Sequence, residues 1–251
     1  MGNRPDEIFK AATRAIIGKR LWPGSKLSEQ TLVDIFNVSH AVLRQAIIRL
    51  ADDGLVTMER NRGAFVSRLN YREAMEIYYA LTMLEQGVIG QLVGRMDARG
   101  WGELRRHIEA QYNAVDDKND ALLDALWSGF HEVLVKLSGN RVVKEIHAQL
   151  IRRTALMRAL VCSRFGYCGL LRDHDALVDL LEAGKVTEAQ QLIDTYHRIV
   201  VRGYILDENI EPVMTPREAL EPYVENVQQQ KFVANWNTEF DGARRSCQYL
   251  N

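Results

Sequence analysis

A chain of 251 residues, 47% apolar and 26% charged, is long enough for two modest domains with packed cores. No apolar run approaches the roughly 20 residues of a membrane span, and the polar first residues lack a signal-peptide core, so a cytoplasmic protein with no membrane partner is expected. The net charge of −1 hides an asymmetry: residues 1–70 carry eleven Lys and Arg against seven Asp and Glu, which leaves −5 for the remainder, and a basic N-terminal part is what neutralising nucleic-acid phosphates requires.

Residues 6–19 read as an amphipathic helix with Ile8, Phe9, Ala12, Ala15 and Ile16 on its inner face. Trp22-Pro23-Gly24 is a turn by composition. A short helix over Ser28–Phe36 follows, and Asn37-Val38 turns the chain into a second helix, Ser39–Leu50. Ser39 has the hydroxyl of a good N-cap. Leu43, Ala46, Ile47 and Leu50 fall at i, i+3, i+4 and i+7, one buried stripe. His40, Ala41, Arg44, Gln45 and Arg49 face away from it, a set of small and hydrogen-bonding side chains that suits entry into a DNA major groove. Gly54 stops the helix. Leu55–Glu59 and Ala64–Ser67 read as two strands joined at Arg60-Asn61-Arg62-Gly63, whose polar, basic tip suits phosphates or a minor groove. Helix, turn, helix and hairpin make a winged helix-turn-helix.

Beyond Asn70, a possible cap, the period is helical throughout. Helices are expected near 71–96, 98–116, 120–138, 140–161, 169–183 and 186–206, an all-α bundle. The expected organisation is therefore mainly α, with a winged domain over 1–69, a bundle over 70–206 and a C-terminal extension over 207–251. The extension is broken by Pro212, Pro216 and Pro222, and Leu220–Phe240 has helical character. It either packs peripherally on the bundle or straps onto a partner subunit or the winged domain. Cys162, Cys168 and Cys247 show no metal or CxxC spacing and suit free thiols.

Residues 8–67 resemble the DNA-binding domain of GntR-family bacterial transcription regulators. The carriers are Trp22 to Glu29, Val38-Ser39, Arg44, Ala46, Leu50, Asp53 to Val56 and Asn61 to Val66. The departures are on the reading face, where His40, Ala41, Val42 and Gln45 stand. Residues 71–206 are similar to the FCD effector domain, through Leu84-Glu85, Phe130-His131, Ser138 to Asn140, His174, Leu177, Leu181, Ala183-Gly184 and Ala189.

The resemblance implies a homodimer that binds double-stranded operator DNA, most often as a repressor, under control of a small-molecule effector. Gln30, Ser39, His40, Ala41, Arg44, Gln45, Arg49, Arg60, Asn61, Arg62 and Gly63 are the implied DNA contacts. It also implies a divalent metal, zinc or nickel, held by one Asp and three His. His131 and His174 match two of these. Trp127 stands where the Asp is expected, with Asp124 a poor substitute two turns from His131. The third His falls at Tyr196 or at its neighbour His197. Leu81 stands where relatives carry an effector-binding Arg. The expectation is weakened metal binding by His131, His174 and His197, and a flat or aromatic effector held by Trp127, His131, His174, Tyr196 and His197, with Arg152 a candidate anion anchor beside Arg153 and Arg158. His107 and His147 read as ordinary bundle histidines. The alternatives are a metal-dependent enzyme, for which no HExxH, nucleophile elbow, Walker loop or GxGxxG is found, and a non-specific DNA binder.

Overall fold

A computed structural model describes residues 4–159, 167–203, 212 and 214–228. Cys162, Cys247 and most of the extension lie outside the described residues, as do the side chains of Asp124, Arg158 and Cys168.

The N-terminal domain is built as its sequence pattern requires. Helix α1 (Arg4–Ile17) places Ile8, Phe9, Ala12, Ala15 and Ile16 in the core. Ser28 caps α2 (Glu29–Phe36), and Asn37, in the left-handed region at φ 49°, ends it. Asn tolerates that region better than most side chains, which is why the turn sits there. Ser39 caps α3 (His40–Asp52) by accepting from the Val42 amide at 3.4 Å. The predicted stripe of Leu43, Ala46, Ile47 and Leu50 is buried.

Strands β2 (Val56–Glu59) and β3 (Gly63–Val66) form the hairpin, with Asn61 at φ 61° and Gly63 at φ 98° making the turn. A third strand, β1 (Lys26–Leu27), pairs antiparallel with β3, so the sheet order is β1-β3-β2. Two residues are too few to show an alternating pattern, so sequence periodicity misses β1.

Asn70 and Glu73 form a reciprocal capping box that starts α4 (Tyr71–Leu92). The bundle continues through α5 (Ala98–Asp116), α6 (Asp120–Leu137), α7 (Arg141–Ala159), α8 (Tyr167–Glu182) and α9 (Val186–Gly203). Helix α4 packs against α9, α7 and α6, and α5 packs between α6 and α8. Arg105 of α5 pins α8 through Asp175, Asp179 and Glu182 at 2.5–2.7 Å.

Helix α10 (Pro216–Gln228) lies in the C-terminal extension and packs against α1 and α2 of the winged domain. Arg20 donates to the carbonyl oxygens of Glu218 and Ala219 at 2.8 and 3.3 Å, and Ala219 and Leu220 are buried. Of the two roles open for the extension, its described helix follows the strap onto the winged domain.

Candidate functional site

The recognition face of α3 is open. Ser39, His40, Ala41, Arg44 and Gln45 are exposed, as is Gln30 at the start of α2. Arg44 and His40 share one acidic neighbour: Arg44 Nε is 3.2 Å and His40 Nδ1 is 3.5 Å from Glu29 Oε2. These are surface contacts, weak enough to be exchanged for a base edge or phosphate.

Arg49 is exposed, as an outward position requires, but it is already paired within the domain. Its Nη1 donates to Asp6 Oδ1 at 2.6 Å, and its guanidinium lies 4.1 Å over the Phe9 ring. The helix turns this position toward α1, so Arg49 bonds within the domain.

At the hairpin tip Arg60, Asn61, Arg62 and Gly63 are exposed. Arg62 pairs with Glu59 and reaches over the Phe65 ring at 5.2 Å.

A second site fills the centre of the bundle. Glu85 of α4 is fully buried, at 0% exposure, together with His131 of α6, His147 of α7, His174 of α8 and His197 of α9. Glu85 Oε2 accepts from His131 Nδ1 at 2.9 Å, and Glu85 Oε1 accepts from His147 Nε2 at 2.8 Å. Burial pushes the Glu85 carboxyl up, but the facing His131 and the two ring N–H donors outweigh it and hold the group well below the usual carboxylate range. Burial pushes His174 well below the ordinary imidazole value and His197 down to about 4.

Tyr196 is the hub of the other half. Its Oη lies 3.2 Å from His131 Nε2 and 3.2 Å from His174 Nε2. His174 Nδ1 meets Gln111 Oε1 at 3.1 Å, and Gln111 Nε2 donates to the Leu126 carbonyl at 3.0 Å. Aromatic faces enclose the hub: Phe130 stacks on His174 at 4.0 Å, and Trp127 lies parallel to Tyr196 at 6.0 Å.

Sequence reasoning thus brings together Trp127, His131, His174, Tyr196 and His197. The choice between Tyr196 and His197 dissolves, because α9 buries both against different partners. Arg152 does not join them. Its Nε donates to Asp53 Oδ2 at 2.8 Å and its guanidinium lies 5.8 Å over Phe9, at the boundary with the winged domain, so it is no anion anchor in the bundle. Three buried members were missed as site residues: Glu85, His147 and Gln111. Their signal was positional. Glu85 falls in the α4 stripe with Leu81, Val88 and Ile89, and His147 in the α7 stripe with Ile151 and Ala155. A polar residue on a buried face needs a partner.

The family-type metal set does not fit. Of its four positions two hold Trp127 and Tyr196, and the Nε2 atoms of His131 and His174 converge on the phenol oxygen. That oxygen occupies the point the two imidazoles would otherwise offer to an ion.

A winged helix-turn-helix joined to an all-α bundle with a polar, aromatic-lined centre defines a DNA-binding regulator with a sensing domain. The comparisons agree. Residues 6–66 match the family model of bacterial regulatory proteins, gntR family, and residues 76–198 match that of the FCD domain. The chain belongs to the GntR family, in its FCD-containing branch, and is a transcription regulator.

It is 28% identical over 204 residues to an uncharacterized HTH-type transcriptional regulator of an unstable DNA locus in Streptomyces ambofaciens, covering 79% of this chain and 83% of that protein. It is 24% identical over 132 residues to the HTH-type transcriptional repressor RspR of Escherichia coli, covering 53% of this chain and 58% of that one. The fold resembles that of a putative transcriptional regulator GntR from Rhodococcus sp. RHA1, with TM-score 0.72, 22% identity, and coverage of 80% of this chain and 97% of that one. It also resembles Escherichia coli McbR/YncC, with TM-score 0.70, 16% identity, and coverage of 80% and 96%. No helix among the described residues is long and apolar enough to cross a membrane.

Proposed function

We propose that the chain is a homodimeric repressor whose operator affinity is set by a small molecule held at the aromatic-lined centre of the bundle. Helix α7 carries this reading. At His147 it bonds to the buried cluster through Glu85. Two residues on, Gln149 Nε2 donates to the Asp52 carbonyl at 2.8 Å, and Arg152 pairs with Asp53, the C-cap of α3. A ligand that prefers one arrangement of the cluster therefore acts on a helix bonded directly to the end of the recognition helix.

Ser39, His40, Ala41, Arg44, Gln45 and Gln30 would meet the operator in the major groove, and Arg60, Asn61, Arg62 and Gly63 its backbone. Trp127, Phe130 and Tyr196 favour a flat or aromatic effector, with the imidazoles as hydrogen-bond partners. The repressing mode is supported by the likeness to RspR. Dimerisation is supported by α4, where Tyr71, Met75, Tyr79 and Met83 recur every four residues and are 44–67% exposed. Such a stripe on one helix is self-complementary about a two-fold axis.

A competition binding experiment with DNA from upstream of the native gene against bulk DNA tests the reading. Preference of at least about 10³-fold for one palindromic site at physiological salt is expected. Equal binding to both DNAs would leave only a non-specific binder.

A further inference from the structure

A helix from the far end of the chain closes the core of the winged domain. Helix α10 begins on its own signals. Pro216 stands at its first position, the Thr215 amide donates to Glu218 Oε2 at 2.9 Å, and the Glu218 amide donates to Thr215 Oγ1 at 3.3 Å. The helix then lies on α1 and α2. Ala219 and Leu220 are buried in the same apolar cluster as Ile8, Ile16, Leu32 and Phe36, and Met214, Tyr223 and Val224 pack against it.

Two contacts fit this helix to this place in particular. Pro222 has no N–H, so the Glu218 carbonyl lacks the donor that an α-helix supplies four residues on. Arg20 supplies one instead: its Nη2 donates to that oxygen at 2.8 Å, and its Nε to the neighbouring Ala219 carbonyl at 3.3 Å. The proline that weakens α10 as a free helix is thereby matched by an arginine of the winged domain. Gly18 makes the second fit. A Cβ there would stand 2.8 Å from Tyr223 Oη, so the missing side chain gives the phenol its seat.

We infer that α10 is the fourth helix of the DNA-binding unit, a clasp that holds α1 and α2 and so steadies the recognition helix, and that docking of this C-terminal segment raises operator affinity. Support, and not blockade, follows from the placement: with α10 docked, Gln30, Ser39, His40, Ala41, Arg44 and Gln45 are all exposed. Helix α2 is the route, since it packs on α3 and its Glu29 pairs with Arg44. Residues 204–215 tether α10 to α9, so docking is intramolecular, and tethered segments dock at effective concentrations on the order of millimolar. Helix α9 carries Tyr196 and His197, so the clasp is a second connection from the bundle to the winged domain, separate from α7. The docking rests on these contacts alone; its effect on the operator rests on the proposed DNA contacts of α3.

The test uses the full chain with substitutions on α10. Leu220→Asp puts a charge into the buried contact and leaves the sequence of the winged domain unchanged. In hydrogen exchange without DNA, the amides of α2 should exchange on the order of tenfold faster, with α5, α6 and α8 at wild-type rates. A peptide of residues 212–228, added at millimolar concentration, should restore the protection. Affinity for the site selected in the competition experiment should fall on the order of tenfold and recover with the same peptide. Gly18→Ala should loosen α2 in the same assay, and adding Tyr223→Phe should restore much of the protection, because it removes the oxygen nearest the new Cβ. That pair decides the matter if the bundle rates show that Leu220→Asp has not folded. Wild-type exchange of α2 in folded Leu220→Asp, or no recovery in the pair, overturns the docking. Loosened α2 with unchanged operator affinity overturns its part in DNA binding. An operator affinity that no effector changes would remove the regulatory reading and leave these differences standing.

Discussion

Arg152 Nε donates to Asp53 Oδ2 at 2.8 Å, and this contact joins the bundle to the residue that ends the recognition helix. Both side chains are largely buried, at 24% and 16% exposure, so the pair is shielded more than a surface ion pair. In the full chain, Arg152→Ala should leave base preference intact while changing how the two domains sit. A double-mutant cycle with Asp53→Ala is expected to give a coupling of about 0.5–3 kcal/mol in thermal or denaturant unfolding. Additive losses would show that the contact carries no energy, and the proposed route through α7 would fall with it.

Arg44 and Arg49 lie on one helix and should behave differently on DNA. Arg44 is exposed one turn into α3 and paired with Glu29 on the surface. Arg44→Ala should cost about 1–3 kcal/mol on the operator and flatten preference at one base position. Arg49 is bound to Asp6 and Phe9, so Arg49→Ala should lower folding stability by about 1 kcal/mol, the size of an exposed ion pair with a cation–π contact, and barely change base preference. Binding isotherms on a set of single-base operator variants, with melting curves of the same proteins, separate the two. Loss of preference at a base from Arg49→Ala would return that residue to the DNA interface.

The contrast between these two arginines shows what the sequence makes legible. The stripe of Leu43, Ala46, Ile47 and Leu50 fixes which way α3 faces, and Ser39, Asn37 and Gly54 mark its ends, because caps and left-handed turns depend on the local residue. Whether an outward arginine stays free depends on what another helix brings near it, and Asp6 and Phe9 lie forty or more residues earlier in the chain. The same limit applies in the bundle. His131, His174 and Trp127 announce themselves through a motif, whereas Glu85 and His147 acquire meaning only when α4 and α7 are packed together. Arg152 failed as an anchor for the same reason: its helix has two ends, and this residue belongs to the one at the winged domain.

The hairpin should contribute affinity without base reading. Arg60 is exposed, while Arg62 is already paired with Glu59 and packed on Phe65. Arg60→Ala with Arg62→Ala should lower the slope of log affinity against log salt by about 1–2, with Arg60 providing the larger part. Equilibrium binding between low and physiological salt measures this. An unchanged slope would mean that the tip does not reach phosphate.

The exposed stripe on α4 offers a test of assembly. Tyr79 is the most exposed of its members, at 67%, and sits near the middle of the run from Tyr71 to Met83. Tyr79→Glu would set like charges against each other across a two-fold interface. The dimer dissociation constant, from sedimentation equilibrium, should rise at least about tenfold with the monomer fold retained. A dimer of unchanged affinity would place the interface on another face.

Tyr196 and Trp127 together account for the departure from the family-type metal set, and restoring that set requires changing both. Trp127→Asp alone returns a carboxylate four residues before His131, on the same helix face. It leaves the phenol oxygen 3.2 Å from both His131 Nε2 and His174 Nε2, filling the point of convergence. The single variant should therefore gain no new site and should lose stability, since it removes a large buried ring. Trp127→Asp with Tyr196→His removes the plug and supplies an imidazole from α9. That double variant should bind zinc or cobalt in a way that depends on His174. Cobalt titration of the double variant with and without His174→Ala decides it. If Trp127→Asp alone acquires a His174-dependent ion, the Tyr196 hydroxyl is not what closes the position.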